Sequence, residues 1–190
     1  MEHHKYDEMS REDLIHILKK YENERRQRQQ ELSDIIYDNH NHEMLNLNSL
    51  TSAIWLDDII LPEEVEFINM NWLKSPIGLE NIKRPPRLIY LWLNGLTTAI
   101  GMDNIKLPES IGSIYLDGLT SVVWLEKIKW PKNMKYLSIN KVQSIRWLEN
   151  AEFWKKMKLI SLNGLTQLTW LDNIKNKYPN ISFSKLWNNI

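Results

Sequence analysis

The side chains in this sequence best suited to acid-base or metal chemistry are five histidines, His3, His4, His16, His40 and His42. His40-Asn41-His42 offers two imidazole ligands and His3-His4 two more. A zinc centre needs its ligands to converge with tetrahedral geometry, which pairs in a polar tail do not supply. Solvated linker histidines are therefore the expectation, and no metal site or other cofactor is assigned. The chain contains no cysteine, which removes thiolate metal sites, thiol nucleophiles and disulfides together. There is no glycine-rich phosphate cradle, and no Ser/His/Asp arrangement can be assembled beyond residue 42 for want of a base. No pair of carboxylates is singled out by its spacing. These absences point to a non-catalytic protein.

Binding chemistry is better represented. Lysines gather late in the chain, at Lys127, Lys129, Lys132, Lys135, Lys155, Lys156 and Lys158, with Lys141 and Arg146 between them. Aromatic residues are interleaved, an arrangement that suits a nucleic-acid strand whose bases stack on rings while lysines meet phosphate. The formal net charge is zero, with 24 basic and 24 acidic side chains, and its distribution is uneven. Residues 1–80 hold 8 basic and 17 acidic side chains, a balance of −9, and residues 81–190 hold 16 and 7, a balance of +9. The asymmetry can steer an acidic partner to the C-terminal half or favour contact between copies; solvated charge without a partner is the plainer reading.

The elements that position these groups follow from an internal repeat. Leu45, Ile68, Leu91, Ile114, Leu137 and Ile160 lie 23 residues apart, and Leu47, Met70, Leu93, Leu116, Ile139 and Leu162 repeat the step two places on. Phe183 falls on the next beat. Leu79, Met102, Leu125 and Leu148 share the same step, and so do Pro62, Pro85, Pro108 and Pro131. An alternating Leu-x-Leu segment has the period of a short strand, and stacked copies allow such strands to pair in parallel over one elongated core. Asn94-Gly95, Asp117-Gly118 and Asn163-Gly164 suit turns that need positive φ. The row Asn48, Asn71, Asn94, Asn140 and Asn163 is expected to form a side-chain ladder that satisfies loop backbone. In the fifth unit Ala151-Glu152-Phe153-Trp154 replaces the Ile-x-x-Pro segment, and a helical turn is expected there.

The frame Ile111-x-x-Ile114-x-Leu116, repeated at 23 residues, resembles the leucine-rich-repeat superfamily, and its period is similar to that of the BspA-like bacterial class. The resemblance covers about residues 44–183 and implies an α/β repeat fold: a curved leucine-rich-repeat solenoid with a parallel sheet of short strands, used mainly to bind proteins. Here asparagine directly follows the strand, and leucine or valine stands at the family's usual asparagine position.

Within that frame the residues flanking the inward strand positions, Phe67, Tyr90, Trp92, Tyr115 and Tyr136, are expected on the concave face as a site for a protein partner. A second row runs Trp55, Gly78, Gly101, Trp124, Trp147 and Trp170. Core packing is its expected role, with a notch between Trp55 and Trp124 as the alternative. Residues 1–43 form a separate N-terminal helix and linker, and 44–190 the repeats. The helix starts at a capping box, Ser10-Arg11-Glu12-Asp13, and reaches about Tyr37, with Leu14, Leu18, Tyr21, Arg25, Arg28, Leu32 and Ile35 on one face. It either caps the first unit or forms a coiled coil, with Glu22–Gln30 as a projecting section or a break. The open C-terminal end of the repeats is a second place for homo-oligomer contact. No stretch approaches the roughly 18 apolar residues of a membrane span, so no membrane partner and a cytoplasmic location are expected.

Overall fold

The computed structural model describes residues 9–38, 40–41, 43–48, 50, 60–74, 76–97, 102–119, 122–142, 146–164 and 171–184. The repeat becomes the register of a sheet. Strands β2 (Met44–Asn46), β3 (Phe67–Asn69), β4 (Tyr90–Trp92), β5 (Ser113–Tyr115), β6 (Tyr136–Ser138), β7 (Leu159–Ser161) and β8 (Ser182–Ser184) pair in chain order and in parallel. Each residue pairs with the one 23 places on, as Leu45 with Ile68 and Ile68 with Leu91. A leading strand β1 (His40–Asn41) pairs antiparallel with β2, so the end of the expected linker joins the sheet. The sheet is open and does not close into a barrel.

Three-residue strands cannot stand alone, and burial of their central side chains holds them. Leu45, Ile68, Leu91, Ile114, Leu137 and Ile160 are buried, as are Leu47, Met70, Leu93, Leu116, Ile139 and Leu162 just beyond the strands. Short 3₁₀ segments at Leu79–Asn81, Met102–Asn104, Val123–Lys127 and Arg146–Glu149 bring Leu79, Met102, Leu125 and Leu148 into the same core. Each unit then returns through a proline turn, in which the Pro62, Pro85, Pro108 and Pro131 carbonyls accept from Val65, Leu88, Ile111 and Met134 at 3.1–3.3 Å. In the fifth unit Trp154 takes the proline's place and accepts from Met157 at 3.0 Å. The segment there is an extended stretch with one turn, not the expected helical turn, while the next unit carries a helix, α2 (Leu171–Lys177), whose Ile174 is buried.

The expected asparagine ladder is present. The Asn48, Asn71, Asn94, Asp117 and Asn140 side chains accept from the backbone N–H of Asn71, Asn94, Asp117, Asn140 and Asn163 at 3.0, 3.2, 3.0, 2.8 and 2.7 Å. Ser138 and Ser161, the buried hydroxyls of β6 and β7, donate into it at Asp117 and Asn140. Gly118 and Gly164 take the expected positive φ, and Lys141 adopts φ 63 on the same beat. Gly95 does not take the positive φ expected of it and is needed instead for close approach, since a Cβ there would lie 2.0 Å from the Asn71 carbonyl oxygen.

Helix α1 (Arg11–Asp38) is continuous through its polar middle. Its start is capped by Ser10, whose Oγ accepts from the Asp13 N–H at 3.2 Å and donates to the Asp13 carboxylate at 2.6 Å. Only its last turns join the core, through buried Leu32 and Ile36 and partly buried Ile35. Leu18 and Tyr21 are 60% and 58% exposed, so the expected seven-residue face is inward only at its C-terminal end. The physical reason is length: 28 residues span about 42 Å at ~1.5 Å per residue, much more than the end of one repeat unit can cover.

Two substitutions test this account. Asp117→Ala leaves the Asn140 N–H and the Ser138 hydroxyl without their acceptor and is expected to cost about 1–3 kcal/mol, with Asp117→Asn costing less because Oδ1 is kept. Gly95→Ala is expected to cost at least about 2 kcal/mol, because its methyl meets backbone that cannot rotate away. Urea unfolding followed by circular dichroism measures both.

Candidate functional site

The register sorts the outward strand residues into two rows. The first runs Met44, Phe67, Tyr90, Ser113, Tyr136, Leu159 and Ser182; the second runs Asn46, Asn69, Trp92, Tyr115, Ser138, Ser161 and Ser184. Parallel strands lie about 4.8 Å apart, a spacing that lets rings on adjacent beats stack. Phe67 and Tyr90 do so at 4.6 Å between centroids with planes 1° apart. Trp92 lies 6.0 Å from Phe67, 6.1 Å from Tyr90 and 5.7 Å from Tyr115. Ser113 interrupts the first row, and Tyr115 and Tyr136 bridge the gap on the diagonal at 5.3 Å. All five aromatic residues singled out in the sequence thus form one continuous series of ring contacts across β3 to β6. Each is half-buried on the side of the sheet away from the core.

The electrostatics of this face suit neutral rings. The Tyr115 hydroxyl is held above its ordinary value of 10.0, first by burial and then by the Tyr136 and Tyr90 phenols and the Asp117 carboxylate, which disfavour a nearby phenolate. Beyond β5 the second row becomes Ser138 and Ser161, buried and committed to the polar ladder.

All seven predicted lysines are exposed. Lys132, Lys135, Lys155, Lys156 and Lys158 are exposed along the turns that lead into β6 and β7. Lys127 and Lys129 also line a half-open cavity of about 1220 Å³ beside the 3₁₀ segments. Its aromatic wall includes Trp130, Phe153, Trp154 and Tyr178. Trp130 lies 5.7 Å from Phe153, which meets Tyr178 edge-on at 5.6 Å. Trp154 donates its indole N–H to the Trp130 carbonyl at 2.9 Å and receives Lys132 Nζ 5.2 Å from its ring. This cluster was missed in the sequence. Its signal was the beat Leu61, Arg84, Leu107, Trp130 and Phe153, on which two aromatics follow smaller residues. Arg84 on that beat is a cation at a core position: burial lowers its pKa to about 10 against the opposing influence of Glu80, and its guanidinium donates to the Leu79 carbonyl at 2.7 Å.

On the second tryptophan row, Trp147 is buried at 4% exposure and packs against Trp130 and Phe153, which agrees with core packing. The alternative notch rests on Trp55, Gly101 and the Trp124 side chain, which, with Trp170, lie outside what is described. The same holds for His3, His4 and His42, while His16 is exposed. Among the described residues no group of three or more His, Cys, Asp or Glu side chains gathers as metal ligands, and no helix is long and apolar enough to cross a membrane. No family model, curated protein or solved structure matches the chain.

The Tyr115 environment makes a signed prediction. The unfolded phenol ionises at its ordinary value while the folded one stays neutral, so stability from this group is full below about pH 9 and falls as pH rises past 10.0. Arg84 acts oppositely, because its lowered pKa makes the folded chain release its proton first above about 10. Chemical unfolding between pH 8 and about pH 11, compared with Tyr115→Phe, cancels the Arg84 contribution; the variant is expected to lose less stability across that window.

Proposed function

We propose that this chain is a leucine-rich-repeat solenoid that binds a protein partner through its concave aromatic face, without catalysis and in the cytoplasm. The 23-residue register, the continuous core and the Leu-x-Leu strands support the architecture. The observation that carries the binding reading is the contiguous ring series Phe67, Tyr90, Trp92, Tyr115 and Tyr136, half-buried on one sheet face. Rings held by their neighbours lose little side-chain entropy on binding and offer large contact area, the properties of interface anchors. Helix α1 serves as the cap of the first unit and offers a second contact.

The competing reading is an accessory nucleic-acid-binding subunit using Lys127, Lys129, Lys132, Lys135, Lys155, Lys156 and Lys158. Exposure of all seven favours it. The ring geometry speaks against it, because the faces on which bases would stack are covered by neighbouring rings, as in the Phe67–Tyr90 pair. Tagged chain captured from native extract, with and without nuclease, separates the two. A nuclease-resistant protein partner is expected. Its affinity is expected to fall at least about a hundredfold in a Tyr90→Ala, Trp92→Ala, Tyr115→Ala triple variant, since central aromatic anchors each contribute about 2 kcal/mol or more. The Lys129→Glu, Lys132→Glu, Lys135→Glu triple variant is expected to retain it. Recovery that collapses with nuclease and with the lysine variant would establish the competing reading.

A further inference from the structure

The residues immediately before β2 to β7, exposed at both ends of the series and half-buried in its middle, form a row of their own: Glu43, Glu66, Ile89, Gly112, Lys135 and Lys158. Backbone hydrogen bonds tie each to the next. The Glu43 carbonyl accepts from Glu66, Glu66 from Ile89, Ile89 from Gly112, Gly112 from Lys135 and Lys135 from Lys158, all at 2.8–2.9 Å. The row therefore rises by one strand spacing per step and is about 24 Å long. Read along the sheet, its charge is two negative, two neutral, two positive. A row with this pattern is the complement of itself reversed.

We propose that two copies of this chain associate along this row about a two-fold axis lying between Ile89 and Gly112. Glu66 then meets Lys135 of the second copy and Glu43 meets its Lys158, with both pairs repeated by symmetry. Gly112, which has no side chain, and half-buried Ile89 leave the centre free of charge and open to close approach. A neighbouring beat obeys the same axis: exposed Glu63 and Lys132 stand three repeat units apart and face each other across the two copies. Charge complementarity selects a second copy as occupant. A uniformly acidic ligand that satisfies Lys135 and Lys158 is repelled by Glu43 and Glu66 on the same line and by Glu63 on the neighbouring beat, and a nucleic acid meets the same barrier. A second copy carries the inverted gradient by symmetry. The contact uses the same patch on both chains, so it closes at a dimer and does not propagate. Exposed ion pairs are individually weak and screened by salt, which makes the dimer weak and dependent on ionic strength.

Sedimentation equilibrium of the full chain, with no other partner present, tests this independently of the aromatic-face reading. The expected result is reversible association that levels off at the dimer mass in about 0.02 M salt and weakens in about 0.5 M salt. Glu43→Lys with Glu66→Lys makes the row wholly basic, and Lys135→Glu with Lys158→Glu makes it wholly acidic. Each double variant alone is expected to raise the dimer Kd at least about tenfold, and an equimolar mixture of the two to recover a heterodimer. If either double variant loses the parent circular dichroism spectrum, Glu63→Lys and Lys132→Glu as separate variants carry the same mixing test on exposed positions. A chain that stays monomeric at low salt up to about 1 mM overturns the proposal, as does association that grows past the dimer or a mixture of folded variants that fails to associate.

Discussion

Everything in this molecule hangs on one constraint, the requirement that backbone and side chains meet their counterparts 23 residues away. Three-residue strands contribute too few hydrogen bonds to hold a register by themselves. The register is set three times over: by the strand pairing, by the buried Leu and Ile on each side of it, and by the Asn/Asp ladder that follows it. The ladder is the most discriminating of the three. A hydrophobic residue tolerates a shifted neighbour, whereas an Asn oxygen 3.0 Å from a particular N–H does not. Asp117 holds the ladder's centre, where one carboxylate accepts from the Asn140 backbone, the Asn140 side chain and the Ser138 hydroxyl.

This rigidity makes the surface readable as rows. A side chain at a given place in one unit stands about 4.8 Å from its equivalent in the next, so a chemical trend along the sequence at 23-residue steps becomes a spatial trend along the sheet. The aromatic series and the charge-graded row are two consequences of that mapping. They are adjacent: Glu66 precedes Phe67 and Lys135 precedes Tyr136. The rings are fixed by stacking on each other, and the charges are fixed only at their backbone, which is why the first suits specific contact and the second suits weak, screened association.

Departures from the repeat mark where packing overrides pattern. At the fifth unit the proline beat holds Trp154, and the chain keeps the turn through the Trp154 carbonyl while Phe153 fills the space beside Trp130. At Arg84 the core beat holds a cation, tolerated because its guanidinium reaches backbone carbonyls at its rim. At Lys141 a residue with a side chain takes the left-handed conformation its neighbours give to glycine. In each case the repeated backbone frame is retained and the local side chain adapts to it.

Much was legible in the sequence for a physical reason: periodicity is conserved from chain to space when every unit packs only on its neighbours. The strand positions, the inward leucines, the ladder and the aromatic series all follow from counting in steps of 23, as Leu45, Ile68 and Leu91 illustrate, and the Ser10 cap follows from its local Ser-x-x-Asp spacing. The tertiary structure alone decided features that depend on space between units or at their ends. Counting does not reveal that Gly95 serves close approach to the Asn71 carbonyl, or that β1 adds an antiparallel edge. Nor does it show that the seven-residue face of α1 meets the core only at Leu32 and Ile35, with Ile36 beside them. A heptad states which side of a helix is apolar, and only the size of the surface it meets determines how much of that side is covered.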